Sequence, residues 1–131
     1  MSKEIQTSTG RLWLDDAHGI LRFDYARGSV ITITQARENL DAIKAFVASG
    51  KRYPLLVDVT KCKSVDRDAR GVFGGPEAKN TIAALALLSK TPIGNIIANF
   101  YISLHVVDAV PRKLFTSERE AIAWLKGFIK E

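Results

Sequence analysis

Tyr53-Pro54-Leu55-Leu56-Val57-Asp58-Val59 is an apolar run of strand length, entered from Arg52 and left through Thr60-Lys61-Cys62-Lys63. Half-solvated strands alternate apolar and polar residues, whereas strands buried on both faces of a parallel sheet read as continuous apolar runs. The run therefore predicts a central strand with both faces covered. Pro54 has no N–H for a ladder and fits only at the strand's start.

Upstream of this strand, Ala36, Leu40, Ile43 and Val47 recur at i, i+4, i+7 and i+11, the single apolar stripe of a helix. Thr32 or Thr34 caps it, Thr32-Ile33-Thr34-Gln35 has capping-box spacing, and Gly50 supplies the stop. Earlier still, Arg11-Leu12-Trp13-Leu14 and Ile20-Leu21-Arg22-Phe23-Asp24-Tyr25 flank Asp15-Asp16-Ala17-His18-Gly19, a hairpin signature. Gly28-Ser29 ends the second strand, and Val30-Ile31 reads as the lead into the helix. Residues 1–9 are expected to be an N-terminal tail and residues 10–131 the domain.

Downstream, Thr60–Arg67 reads as a loop rich in lysine and small polar residues, followed by a short helix across Asp68–Phe73. Gly74-Gly75-Pro76 breaks that helix, and a further turn runs through Asn80. The alanines of Thr81–Ser89 favour helix by propensity. A strand is expected there instead, because the next segment is the better helix: Thr91-Pro92 opens it, and Ile93, Ile96, Ile97, Phe100, Tyr101 and Leu104 follow at helical spacing. Val110-Pro111 ends the connection and Arg112-Lys113-Leu114-Phe115 is a last short strand. Thr116 or Ser117 caps the closing helix, Glu118 and Glu120 complement its dipole, and Ala121, Ile122, Leu125, Phe128 and Ile129 form its apolar face. The order is β-β-α-β-α-β-α-β-α, an α/β protein with an opening β-hairpin and then alternating helices and strands in a mixed, mainly parallel sheet.

A chain of 131 residues with 47% hydrophobic and 25% charged residues has the size and composition of one folded domain. Met1–Thr7 contains no apolar stretch of the kind a secretory leader needs. The longest apolar runs, Ile82–Leu88 and Ile93–Val107 with its internal Asn95, Asn99, Ser103 and His105, fall short of the ~18 apolar residues of a membrane span. Cys62 is the only cysteine, which fits a reducing compartment, and a cytoplasmic location is expected. Lys61 and Lys63 beside it would lower its thiol pKa, but an incidental loop thiol is the simpler reading. The net charge of +5 and a pI of about 9.5 raise the question of nucleic acid. The bases are scattered singly or in pairs such as Lys51-Arg52 and Arg112-Lys113, and the aromatics fall at core spacing, which argues against it.

Nothing in the chain has the pattern of a catalytic or metal-binding apparatus. His18 falls in the hairpin turn and His105 at a helix end, and no G-x-S-x-G elbow accompanies them. One cysteine and two distant histidines do not make a zinc site. Gly71-Val72-Phe73-Gly74-Gly75-Pro76 lacks the Lys-Ser/Thr end of a P-loop, and no G-x-G-x-x-G occurs. Asp66 and Asp68 are spaced to share a cation, but Asp at a helix entrance is more simply a cap. No cofactor, metal or catalytic residue is expected, and the balance leans away from an enzyme.

One stretch has a family look. Asp58-Val59-Thr60, followed by Ser64-Val65-Asp66-Arg67-Asp68-Ala69-Arg70, resembles the strand–loop–helix of STAS domains, the anti-sigma-factor-antagonist family. There the strand ends in Asp-hydrophobic-Ser and the loop leads to a phosphorylatable serine at a helix start. Gly19-Ile20-Leu21, Pro92–Phe100, Lys113–Ala121 and Trp124-Leu125 extend the resemblance over residues 10 to 128, nearest to an uncharacterised bacterial branch labelled anti-anti-sigma-factor-like. The resemblance implies a STAS-like single domain acting as a non-enzymatic interaction or regulatory module. It would dock a protein partner through Thr60, Ser64, Asp66, Arg67, Asp68 and Arg70. The regulated family carries Asp-Ser-Ser/Thr-Gly-Leu where this chain reads Asp66-Arg67-Asp68-Ala69-Arg70, so a fixed negative charge is expected in place of a phosphorylation switch. A weak homodimer is expected as well, with the opening hairpin supplying an edge. The alternative is a small apolar-ligand or lipid-binding domain of related topology, with Phe73, Phe100, Tyr101 and Trp124 lining a pocket of roughly 300 Å³ or more. The second alternative is an enzyme with an unrecognised site.

Overall fold

The computed structural model describes residues 4–46, 52–66, 68–69, 81–92, 94–96 and 110–129. In these, eight strands and two helices follow the order β1 (Glu4–Gln6), β2 (Gly10–Asp15), β3 (Ile20–Tyr25), β4 (Ser29–Ile31), α1 (Ile33–Phe46), β5 (Tyr53–Asp58), β6 (Cys62–Val65), β7 (Ile82–Leu88), β8 (Arg112–Phe115) and α2 (Glu118–Lys126). Six strands form one sheet in the order β1-β2-β3-β5-β7-β8. The β1–β2 and β2–β3 pairs are antiparallel, and the remaining pairs, β3–β5, β5–β7 and β7–β8, are parallel. The mixed, mainly parallel α/β sheet is the one the alternating pattern predicts.

The apolar run Tyr53–Val59 contains β5, which is buried from Pro54 through Val57. Leu55 and Val57 join Leu21, Phe23, Leu85 and Leu87 in a core under α1, where Ala36, Leu40 and Ile43 close it. Leu56 faces the other way, with Ile20, Ala84, Ala86, Leu88 and Phe115, against Ala121 and Leu125 of α2. The alanine-rich segment is strand β7, because its alternate residues fill two cores at once. That tertiary demand overrides a helix propensity worth only tenths of a kcal/mol per residue, about 0.7 at most. Ser117 caps α2 by accepting a hydrogen bond from the Glu120 N–H. At α1, the Thr32 N–H donates to Gln35 Oε1 at 3.2 Å, the return bond of the expected capping box.

Three short strands depart from the sequence reading. Part of the stretch taken as a tail, Glu4–Gln6, pairs with Arg11–Trp13 and forms the sheet edge, so the hairpin does not supply it. Val30-Ile31 is not a lead into the helix but the end of β4, and the Thr60–Arg67 loop contains β6; the two pair in parallel as a separate two-stranded sheet. Strands of three and four residues carry too little alternation to register as a period, and their pairing is set by the chain around them. The turn at residues 7–9 is fastened to α1 by Asn39, which pairs with Thr9 Oγ1 at 3.1 Å and donates to Tyr25 Oη at 3.2 Å. Pro92 and residues 94–96 are helical, with the Asn95 N–H on the Thr91 carbonyl at 2.9 Å, as the Thr91-Pro92 start predicts. Most of the expected helices over 68–73 and 91–104, and the stop at Gly50, lie outside the described residues.

Candidate functional site

The segment from Asp58 to Ala69 leaves the carboxyl end of a central parallel strand, the place where open α/β sheets present loops for binding. Its backbone is fastened on two sides. Asp58 Oδ1 accepts the Thr60 N–H at 2.9 Å, which turns the chain out of β5. Thr60 then ties the segment to the chain beyond β7. Its Oγ1 accepts the Lys90 N–H at 3.2 Å, and its carbonyl accepts from Thr91 Oγ1 at 3.2 Å. On the other side the Lys61 carbonyl accepts the Gly28 N–H at 2.9 Å, and the Asp66 N–H donates to the Ile31 carbonyl at 2.8 Å. Gly28 has φ +77°, a conformation that favours glycine, where it meets this carbonyl.

The six residues singled out from the sequence separate on this frame. Thr60 is half-buried and bonded through both its hydroxyl and its carbonyl, so it holds the segment in place. Ser64, Asp66 and Asp68 are exposed in sequence along one stretch of backbone. Arg67 and Arg70 lie outside the described residues. The helix start shows as a turn in which the Ala69 N–H reaches the Asp66 carbonyl at 3.2 Å.

Val30, read from the sequence only as a lead into the helix, joins this surface. Val30 of β4 is the register partner of Ser64, so the two side chains share a face, and Val30 is 42% exposed. Ile33, at the start of α1, is 51% exposed. The signal was present as Ser29-Val30-Ile31, where Ser29 and Ile31 are buried and Val30 points out. In the sequence alone, Val30-Ile31 is indistinguishable from a lead into the helix.

Cys62 is not a loop thiol. It lies on β6, 4% exposed, and burial followed by the charge of Asp58 pushes its pKa up to about 12. A thiol held there stays protonated and unreactive at neutral pH, despite the lysines on either side in sequence. Asp58 also faces Asp24, its register partner on β3; burial first, then the charge of Asp58, raises the pKa of Asp24 above the ordinary carboxylate value. Among the described residues no three or more His, Cys, Asp or Glu side chains gather as a metal site.

The apolar-ligand alternative asks for space. The gap under α1 between Phe23, Ile43, Leu55 and Leu85 measures about 30 Å³, room for roughly one water molecule. Trp124 packs against Phe115 and Phe128, with ring centroids 5.7 and 4.9 Å away, and lines an open surface cavity of about 530 Å³ with Leu114, Phe115 and Ala123. Phe73, Phe100 and Tyr101 lie outside the described residues.

Comparison with known proteins places the architecture. A family model described as a domain of unknown function (DUF7793) matches residues 12–129. No protein of curated function matches the sequence. Among solved structures, the chain is similar to an uncharacterized protein of the DUF3478 family with a SpoIIAA-like fold from Shewanella loihica PV-4. The TM-score is 0.52 at 16% identity, over 95% of this chain and 92% of that one. No helix among the described residues is long and apolar enough to cross a membrane. The mixed sheet, the two helix-covered cores and the match over nearly the whole chain lead to one conclusion: the protein belongs to the DUF7793 family and has a SpoIIAA-like, that is STAS-like, fold.

Proposed function

We propose that the protein is a non-enzymatic interaction or regulatory module that docks a protein partner through the Thr60–Arg70 segment. The observation that carries this reading is the parallel pairing of β4 with β6, which sets exposed Val30 against Ser64 and brings Asp66 to the backbone of Ile31. An apolar spot rimmed by Ser64, Asp66 and Asp68, with Lys63 alongside, has the make-up of a small protein-binding face. Thr60 holds the segment rigid, which lowers the entropy lost on docking. Arg67 and Arg70 complete the proposed set.

Asp68 serves in this reading as a permanently charged docking point. It carries one fixed negative charge where the regulated STAS domains carry a removable phosphate, so this face has no off state. The hydroxyl of Thr60 is already engaged with the Lys90 N–H. Asp68→Asn keeps the capping capacity of the side chain and removes its charge. A partner captured from native lysate should bind Asp68→Asn at least fivefold more weakly at unchanged thermal stability. Equal binding, or stoichiometric phosphate on Ser64 in protein from its native host, would overturn the fixed-charge reading.

A weak homodimer in a cytoplasmic setting belongs to the same proposal. The edge strand β1 is three residues long and offers its outer backbone to a second copy. Sedimentation equilibrium at high micromolar protein should reveal reversible dimerisation, and a monomer throughout would remove that part.

A further inference from the structure

Away from the docking segment, the β2–β3 turn and α2 form a second concave surface. Asp15 ends β2 and organises it. Its Oδ1 accepts the His18 N–H at 3.3 Å, and its Oδ2 lies 2.9 Å from His18 Nδ1 and 3.3 Å from Arg22 Nη1. Arg22 Nη2 in turn donates to Glu118 at the start of α2. Burial disfavours the charged form of Asp15, but the hydrogen bonds from His18 and Arg22 outweigh it and hold its pKa below the ordinary value. An ionised carboxylate at Nδ1 keeps a proton on that nitrogen and leaves Nε2 as the ring atom open to another partner.

His18 lines a surface cavity of about 420 Å³ whose other wall is α2: Glu118, Arg119, Ile122, Ala123 and Lys126. Arg119 and Lys126 stand about two helical turns apart on one face, with Ile122 and Ala123 between them as an apolar floor. The carboxylate of Glu118 is matched by Arg22. Neither Arg119 nor Lys126 forms an ion pair among the described residues. The cavity thus combines uncommitted cations, an oriented imidazole and a short apolar surface, at a volume suited to a small molecule.

We propose that this cavity binds a small phosphate monoester with an apolar body, its phosphate held by Arg119 and Lys126, its body on Ile122 and Ala123, and His18 at the rim. A doubly charged head suits a pair of cations better than a single carboxylate does. The site is separate from the docking segment, and the inference does not depend on the docking reading.

Phenyl phosphate titrated into the intact protein, followed by amide and imidazole NMR shifts, is the test. Saturable shifts below about 10 mM ligand, centred on His18, Arg119, Ile122 and Lys126, are expected. Binding should weaken at least fivefold in Arg119→Gln and in Lys126→Gln, both exposed positions where the fold is not at stake. Inorganic phosphate should bind more weakly than phenyl phosphate. Shifts spread equally over distant bases such as Lys44 and Lys113, affinity unchanged in both variants, or benzoate binding as tightly as phenyl phosphate would each overturn the proposal.

Discussion

The six-stranded sheet and the two-stranded β4–β6 sheet use similar short apolar segments and treat them differently. In the large sheet, β5 and β7 send alternate residues into two cores, so almost every side chain from Pro54 to Val57 and from Ala84 to Leu88 is buried. In the small one, Ser29, Ile31 and Cys62 face inward while Val30, Lys63 and Ser64 stay outside. A strand with both faces committed is fixed by packing and tolerates little change. A strand with one face in water can carry side chains chosen for a partner. The backbone of the small sheet is tied at Lys61 and Asp66, while Val30, Lys63 and Ser64 on its outer face are exposed.

The sharpest way to break this contrast is to cut into the large sheet. Leu56→Ala removes a side chain that is 1% exposed and joins Ile20 to the α2 core; it should cost about 2–5 kcal/mol in urea unfolding. A loss under 1 kcal/mol would mean that β5 is not the packed centre. Gly10→Ala comes next. A Cβ there would meet the Asp24 carbonyl oxygen and lie 2.7 Å from Phe23 Cε1, so backbone must move, and a loss of about 1–3 kcal/mol is expected. Ser117→Ala should remove about 1 kcal/mol by deleting the cap of α2.

The smallest expected effect is electrostatic. Asp24 has a folded pKa above its unfolded value, so its contribution is fully present below the unfolded value, near 3.8, and is lost as pH rises through the folded one. Asp24→Asn should therefore be more stable than the parent at about pH 7, with the difference shrinking as the pH is lowered towards the ordinary carboxylate range. Urea unfolding of both proteins across that range measures it; a gap that widens on acidification would contradict the burial of Asp24 beside Asp58.

Long periodic segments were legible and short ones were not. The apolar continuity of Tyr53–Val59, the stripe through Ala36, Leu40 and Ile43, and the Ser117 cap each announced an element that the structure contains. β4 and β6 owe their existence to neighbours far away in sequence, as when Ser29 and Cys62 become partners, and no local period encodes that; β1 pairs with the adjacent β2 but at three residues is too short to show a period. The candidate site was legible only as a segment. Sequence marked Ser64, Asp66 and Asp68, but the company of Val30 depends on β4–β6 register, and the burial of Cys62 depends on the same pairing. The role of Thr60 as a latch needed the chain beyond β7 in place.

The central claim is that the outer face of the small sheet serves binding and not folding. The direct measurement is the affinity of the captured partner for Val30→Ser, taken together with its thermal midpoint. Val30 is exposed, so the effect on stability should stay within roughly 0.5 kcal/mol. The account predicts at least tenfold weaker binding with the midpoint within a few degrees of the parent. Unchanged affinity, or a variant that loses binding only because it has unfolded, would contradict it.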